Sequence, residues 1–283
     1  EGQVSLHENA SSPALPSSEG EARYVRAARV SFRPALPIGD ESALRAMLDR
    51  RSVRSLYDPS VKLSPGLQQG LRTLMSERYP ELEFHLPSDA ETLGFLGDLQ
   101  ELADSTALNR EDFTAELGHW LIENDSASHV GMRGREFGMS DEMTRGMQAR
   151  LLSETRLSPE EVAAFAKGGN FGIRSSSAVG VIAAPLDDLR HRVLAGRAFE
   201  ELVLSLHQHG FVTAMHAAIT ELESPNLALQ ARLGIRGRVL VVFRAGQPLE
   251  RSDALRPHSA RPSVGEVTLT PAQLALTPRR AAS

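Results

Sequence analysis

Apolar residues recur at helical spacing along most of the chain, and several of these stretches have clear start signals. Ser64-Pro65 and Ser158-Pro159-Glu160-Glu161 each place a capping hydroxyl before a proline, which is typical of a helix N-terminus. We predict further helices over about 41–50, over 89–108 and from Ser224-Pro225 to Gly234. The widest apolar face predicts a central helix that carries Leu194, Ala198, Phe199, Leu202, Val203 and Leu206.

Strands are predicted where the apolar residues are continuous or alternate. Ala178–Ala184 and Arg238–Arg244 are continuous apolar runs and predict buried strands. Alternating stretches predict shorter strands within 24–34 and at 81–86. Gly168–Gly172 follows a helical pattern, so we interpret it as a helix-ending loop. About four strands with six or more helices predict an α+β fold.

The ends of the chain differ in composition from its middle. Residues 1–22 are rich in Ser, Pro, Glu and Ala without periodicity, which predicts a flexible tail. After about Val267 the composition returns to Thr, Pro, Ala and Arg, so we predict a C-terminal tail or arm over 268–283. One domain is therefore expected over 23–267.

Bulk composition excludes several classes of function. The chain has 283 residues, 41% of them apolar, and a formal net charge of −5, which does not favour nucleic-acid binding. We find no apolar run long enough to cross a bilayer and no secretory signal. Cysteine is absent, which excludes disulfides and thiolate chemistry and fits a cytoplasmic location. His207 and His209 face different sides of a helix, so no metal site is predicted.

The most informative stretch for function is Arg50-Arg51-Ser52-Val53-Arg54. Arginine offers a planar fork that binds phosphate through two hydrogen bonds, and serine adds a compact donor. The stretch can therefore hold a phosphate. The alternative is a solvated helix end, since cations are favoured near a helix C-terminus.

Two further stretches have features of a ligand site. Gly210-Phe211-Val212-Thr213-Ala214-Met215 follows the predicted central helix, and glycine there either lets a ligand approach the backbone or simply ends the helix. Near the C-terminus, His258-Ser259-Ala260-Arg261-Pro262 follows the last predicted strand and carries a cation next to proline.

Together these stretches resemble the FMN-dependent nitroreductase superfamily, whose opening signature is Arg-Arg-Ser-x-Arg followed by an aromatic residue. The resemblance implies a mostly antiparallel sheet of about four to five strands flanked by helices. Glu116–Trp120 and Phe137–Ser140 are similar to the second half of long proteins with two tandem nitroreductase-like halves. A lone half implies a homodimer, or a partner nitroreductase-like half that completes the flavin site.

The resemblance also implies roles for individual residues. Arg50 and Ser52, in a cluster with Arg51, would grip the phosphate or ribityl chain of FMN, and Arg54 would face the pyrimidine edge of the ring. The other candidates are the backbone of Gly210, Thr213 and Ala214 at the reactive ring edge, Arg261 at the phosphate, and Trp120, Phe137 and Met139 as a wall or lid. Arg261 matches the second arginine of an Arg-Arg-Pro form common in the family, and Ala260 stands at the position of the first arginine. For Trp120, Phe137 and Met139 the alternative is simple core packing.

We therefore expect an FMN-binding oxidoreductase that passes electrons from a reduced donor to a small organic acceptor, such as a nitro compound, a quinone or a conjugated double bond. No catalytic side chain is named, because the chemistry belongs to the cofactor. The alternatives are a flavin-dependent dehydrogenase of a biosynthetic intermediate, an FMN-sequestering protein with a lid over 131–147, and a docking module without FMN.

Overall fold

The computed structural model describes residues 2–6, 28–32, 42–153, 157–250 and 263–268. The chain divides into two compact units. One comprises Glu1–Asp40 with Ser259–Ser283, and the other comprises Glu41–His258. The second unit lies within the range 23–267 that we predict for the domain.

The main sheet of the second unit is antiparallel throughout. In the described ranges the strands are β1 Gly2–Leu6, β2 Ala28–Phe32, β3 Glu83–His85, β4 Leu121–Ile122, β5 Met132–Arg133, β6 Ala178–Ala184, β7 Val212–Met215 and β8 Arg238–Gly246. Four of them form a sheet in the order β3-β6-β8-β7, and each neighbouring pair is antiparallel. β6 is buried at every position, as its continuous apolar sequence predicts.

The described ranges also contain helices, and several of these begin where the sequence predicts. The helices are α1 Ser42–Asp49, α2 Pro65–Arg78, α3 Ala90–Leu108, α4 Glu111–Trp120, α5 Asp141–Leu151, α6 Pro159–Arg174, α7 Leu189–Gln208, α8 Ala218–Glu221, α9 Glu223–Leu233 and α10 Val264–Val267, with a 3-10 turn at Gly134–Phe137. Ser64 caps α2 by accepting from the Leu67 amide at 3.2 Å, and Ser158 with Glu161 completes a capping box on α6. The described helices include none with the length and apolarity that a bilayer crossing requires.

Each face of the main sheet carries its own apolar layer, because successive strand residues point to opposite sides. On one face, β6 and β8 pack against α2 and α7, with Leu202, Leu206 and Phe243 fully buried. On the other face, the same two strands pack against α3, α6, α8 and α9. The predicted α+β class, the two buried strands and the central helix are confirmed.

Two predictions of local structure are wrong. Gly168–Gly172 is not a loop, because α6 continues to Arg174; two of these glycines instead make room for neighbouring side chains, Gly169 for Asp104 and Gly172 for Arg244. Ser224 does not cap α9, which begins at Glu223 with Leu222 as N-cap. Pro225 is tolerated at the third helical position because the first N–H groups of a helix have no partner within it.

The flexible tail over residues 1–22 stays a prediction, and the structure describes only its first residues. Gly2–Leu6 forms β1, which pairs antiparallel with β2 in the first unit. This pairing joins backbones that are far apart in sequence, so the composition of the segment gives no sign of it. The rest of the predicted tail, and most of the predicted arm over 268–283, lie outside the described residues.

Candidate functional site

The arginine segment, Arg50–Arg54, runs along the edge of the main sheet. It begins where α1 ends, with the Arg50 amide bonded to the Ala46 carbonyl at 2.8 Å. Ser52 forms a parallel bridge with Thr213 of β7, and the Val53 amide donates to the Thr213 carbonyl at 3.0 Å. Two stretches that the sequence marks separately are thus adjacent in the fold.

Tyr57, the aromatic residue that follows the arginine segment, fixes its far end. Its ring is fully buried, and its hydroxyl donates to the Val53 carbonyl at 2.7 Å. Its amide donates to Ser175 Oγ at 3.2 Å. Burial raises the pKa of Tyr57 to about 12, so the phenol stays protonated and keeps donating.

Two arginines of the segment have carboxylate partners on other elements. Arg50 Nε donates to Glu200 Oε1 of α7 at 2.7 Å. A guanidinium nitrogen of Arg54, Nη1, lies 3.5 Å from Oε2 of Glu136, and Cζ of Arg54 lies 4.8 Å from the centroid of the Phe137 ring. Because both arginine side chains are about one third exposed, at 34% and 38%, a ligand can reach them by exchanging with these carboxylates.

Beneath the segment lies Arg244, whose role the sequence reasoning missed. It is 2% exposed and donates to the carbonyls of Gly172 at 3.0 Å, Arg54 at 2.6 Å and Ser55 at 3.0 Å. Its guanidinium also lies 4.1 Å from the centroid of the Tyr57 ring. A signal was present, since a cation inside a strand buried on both faces requires several acceptors.

Buried polar atoms without a hydrogen-bond partner lie on this arginine and on residues that interact with it. Among the described residues they include Ser55 Oγ, His216 Nε2 and the Nε of Arg244 itself. Burial, with a smaller contribution from the charge on Arg244, lowers the pKa of His216 to about 3. His216 is therefore neutral at physiological pH and adds no positive charge to the site.

The remaining predicted site residues fall into four groups. Phe137 contacts the arginine segment through Arg54, and Ala214 pairs with Arg244 across the sheet. Gly210 has a φ of 80° and ends α7, which accounts for glycine at that position without a ligand. Trp120 is 46% exposed at the end of α4, and Met139 bonds through its carbonyl to Asn124; no recorded contact joins either side chain to the arginine segment. Arg261 lies outside the described residues.

Comparison with known proteins identifies the fold. Neither the family models nor the curated protein sequences contain a match. Among solved structures, the FMN-dependent nitroreductase NfnB from Mycobacterium smegmatis, in complex with NADPH, aligns with 81% of this chain and 98% of its own, at 15% identity and a TM-score of 0.50. A mutant of the FMN and NADPH-dependent nitroreductase NfnB from Sphigopyxis sp. strain HMH aligns over the same shares at 14% identity and a TM-score of 0.51. This chain therefore has the nitroreductase fold, as the resemblance implies.

Proposed function

We propose that this chain binds FMN and acts as an oxidoreductase on a small organic acceptor. The observation that carries the proposal is the bridge between Ser52 and Thr213, which joins the arginine segment to β7 on a nitroreductase fold. The solved neighbours with this fold are described as FMN-dependent or as FMN and NADPH-dependent nitroreductases.

The residues present fit FMN by their chemistry. Guanidinium forks and a hydroxyl form a donor set for phosphate, and the segment offers both within five residues. Arg50 and Ser52 would hold the phosphate or ribityl chain, and Arg54 the pyrimidine edge. The backbone of Thr213 and Ala214 would lie against the ring.

Bound FMN would supply the electron transfer between a reduced donor and the acceptor. The chain itself would bind and orient the cofactor and limit the access of water. Arg54 would favour negative charge on the pyrimidine edge, because a fixed cation stabilises an adjacent anion. Phe137, whose ring centroid lies 4.8 Å from the Arg54 guanidinium, would form part of a wall over the ring.

A second candidate function is FMN sequestration. The contact of Glu136 and Phe137 with Arg54 favours it, because both residues belong to the predicted lid over 131–147. Failure of nicotinamide donors to reduce bound FMN under anaerobic conditions would distinguish this candidate from the oxidoreductase. In either case we propose that a second copy, or a partner half, completes the flavin site in the cytoplasm.

The proposal is tested by titrating the purified protein with FMN and following flavin fluorescence. We expect the double variant Ser52→Ala, Arg54→Gln to bind FMN at least about tenfold more weakly, because it loses a phosphate donor and a charged contact. Arg72→Gln, which removes one exposed arginine on α2, is the matched control and should bind as the unmodified chain does. Equal affinity of the double variant and the control would contradict the assignment.

A further inference from the structure

We infer that Arg244 is a positioning residue, which sets the conformation of the arginine segment and adds a buried positive charge beneath it. The part of this inference that concerns FMN depends on the proposed function. The part that concerns the conformation of the segment does not.

The contacts of Arg244 join three parts of the fold. Its guanidinium donates to the carbonyl of Gly172 in α6 and to the carbonyls of Arg54 and Ser55. The planar fork also stacks on the ring of Tyr57. Because both carbonyls after Val53 point inward to this fork, the peptide that carries the Arg54 side chain has one fixed orientation.

The space for this fork is made by a glycine. A Cβ atom at position 172 would lie 3.1 Å from Cζ of Arg244, which is tighter than ordinary contact. Gly172 thus lets the guanidinium lie directly against the last turn of α6, where the helix carbonyls carry partial negative charge. This contact accounts for a glycine inside a continuous helix.

The charge of Arg244 has no carboxylate partner in the described part of the chain. Its recorded acceptors are carbonyl oxygens and an aromatic face, and burial lowers its pKa. Burying a cation without a counter-ion is unfavourable. Hydrogen bonds that only hold backbone carbonyls in place do not require a full positive charge. An anionic ligand bound above Arg54, in contrast, would bind more tightly because of that charge. We therefore assign Arg244 a second effect, which is to strengthen binding of an anion at the arginine segment.

Two substitutions separate the fork from the charge. Arg244→Lys keeps the charge but loses the planar fork, and Arg244→Gln loses both. Arg238→Lys is the matched control, because Arg238 lies on the same strand and also donates to a backbone carbonyl, that of Thr220. Amide hydrogen exchange of Val53 and Tyr57, measured relative to Val181 in β6, reports on the segment without any ligand.

We expect both Arg244 variants to exchange the Val53 and Tyr57 amides at least about tenfold faster than the control does, because both lose the planar fork that donates to the Arg54 and Ser55 carbonyls. Both should also bind FMN more weakly. Arg244→Gln should in addition lower the affinity for reduced relative to oxidised FMN, and Arg244→Lys should not. Unchanged amide exchange in both variants would overturn the positioning role. An equal change in both variants in the affinity for reduced relative to oxidised FMN would overturn the role of the charge.

Two further results keep the inference open to refutation. If the Arg244 variants do not fold, Gly172→Ala leaves Arg244 in place and displaces its fork, and should accelerate the same two amides; unchanged exchange in that variant would overturn the inference. If the unmodified chain does not bind FMN, the proposed function fails, while the exchange measurement still decides the positioning role.

Discussion

Asp104 provides a test of the packing between α3 and α6, the helix whose last turn contacts Arg244. Its recorded hydrogen-bond partner is the neutral side chain of Gln100, whose Nε2 donates at 2.7 Å. Burial raises the pKa of Asp104 to about 6, and the bond from Gln100 opposes this rise. Asp104→Asn keeps an acceptor for Gln100 and removes the charge.

The free-energy penalty of burying the charged Asp104 follows from the shift in its pKa. A rise from 3.8 to about 6 corresponds to about 3 kcal/mol of unfolding free energy at about 1.36 kcal/mol per unit. Since Asp104 keeps some access to water, we expect a penalty of about 1–3 kcal/mol at pH 7. The folded-state pKa lies above the unfolded one, so the penalty is small below about pH 4 and grows as the pH rises towards 6.

Urea unfolding at pH 7, 5.5 and 4 measures this effect. We expect Asp104→Asn to be more stable than the unmodified chain at pH 7 and to lose most of that advantage at pH 4. Asp98→Asn is the control on the same helix: Arg174 bonds to Asp98 at 2.6 Å and lowers the pKa of that carboxyl, so its replacement should not stabilise the protein at any pH. A stability difference for Asp104→Asn that does not change with pH would refute the reasoning.

Three further predictions test other parts of the structure. The pKa of His216 is lowered from 6.5 to about 3, so as the pH falls from 7 to 5 a proton binds the unfolded state in preference to the folded one. Urea unfolding should therefore show that the unmodified chain loses about 2 kcal/mol of unfolding free energy relative to His216→Asn over this range, and equal losses would contradict this. Glu136→Gln should raise FMN affinity about two- to fivefold in a fluorescence titration, because it frees a guanidinium from an exposed ion pair; unchanged or lower affinity would count against it. Gly180→Ala places a methyl group against the Phe243 ring and should lower the unfolding free energy by about 1–3 kcal/mol, measured by thermal unfolding. The control Gly196→Ala on α7 has open space around the added methyl group and should not destabilise the protein; equal effects of the two variants would refute the close packing of Gly180 on Phe243.

Local signals account for what the sequence predicts well. Capping residues and apolar patterns act within one element, so the starts of α2 and α6 and the burial of β6 and β8 can be predicted from short windows. The arginine segment is equally visible, because its residue types alone point to phosphate. The position of this segment next to β7 cannot be predicted from the sequence, because it depends on how the edge of the sheet folds.

Tertiary contacts account for the errors. Glycines in sequence suggest an end to α6, yet two of them face Asp104 and Arg244, which lie far away in the chain. The same holds for Arg244, whose three acceptors belong to two distant segments. The carboxylates of Glu136 and Glu200 carry no local signal, because acidic residues on such elements are common.

The central claim is that the arginine segment on this fold binds FMN, and the visible absorption spectrum of the purified chain tests it most directly. After addition of FMN and removal of the excess, we expect a flavin band whose heat-released chromophore has the mass of FMN. A colourless protein that takes up no added FMN would contradict the account.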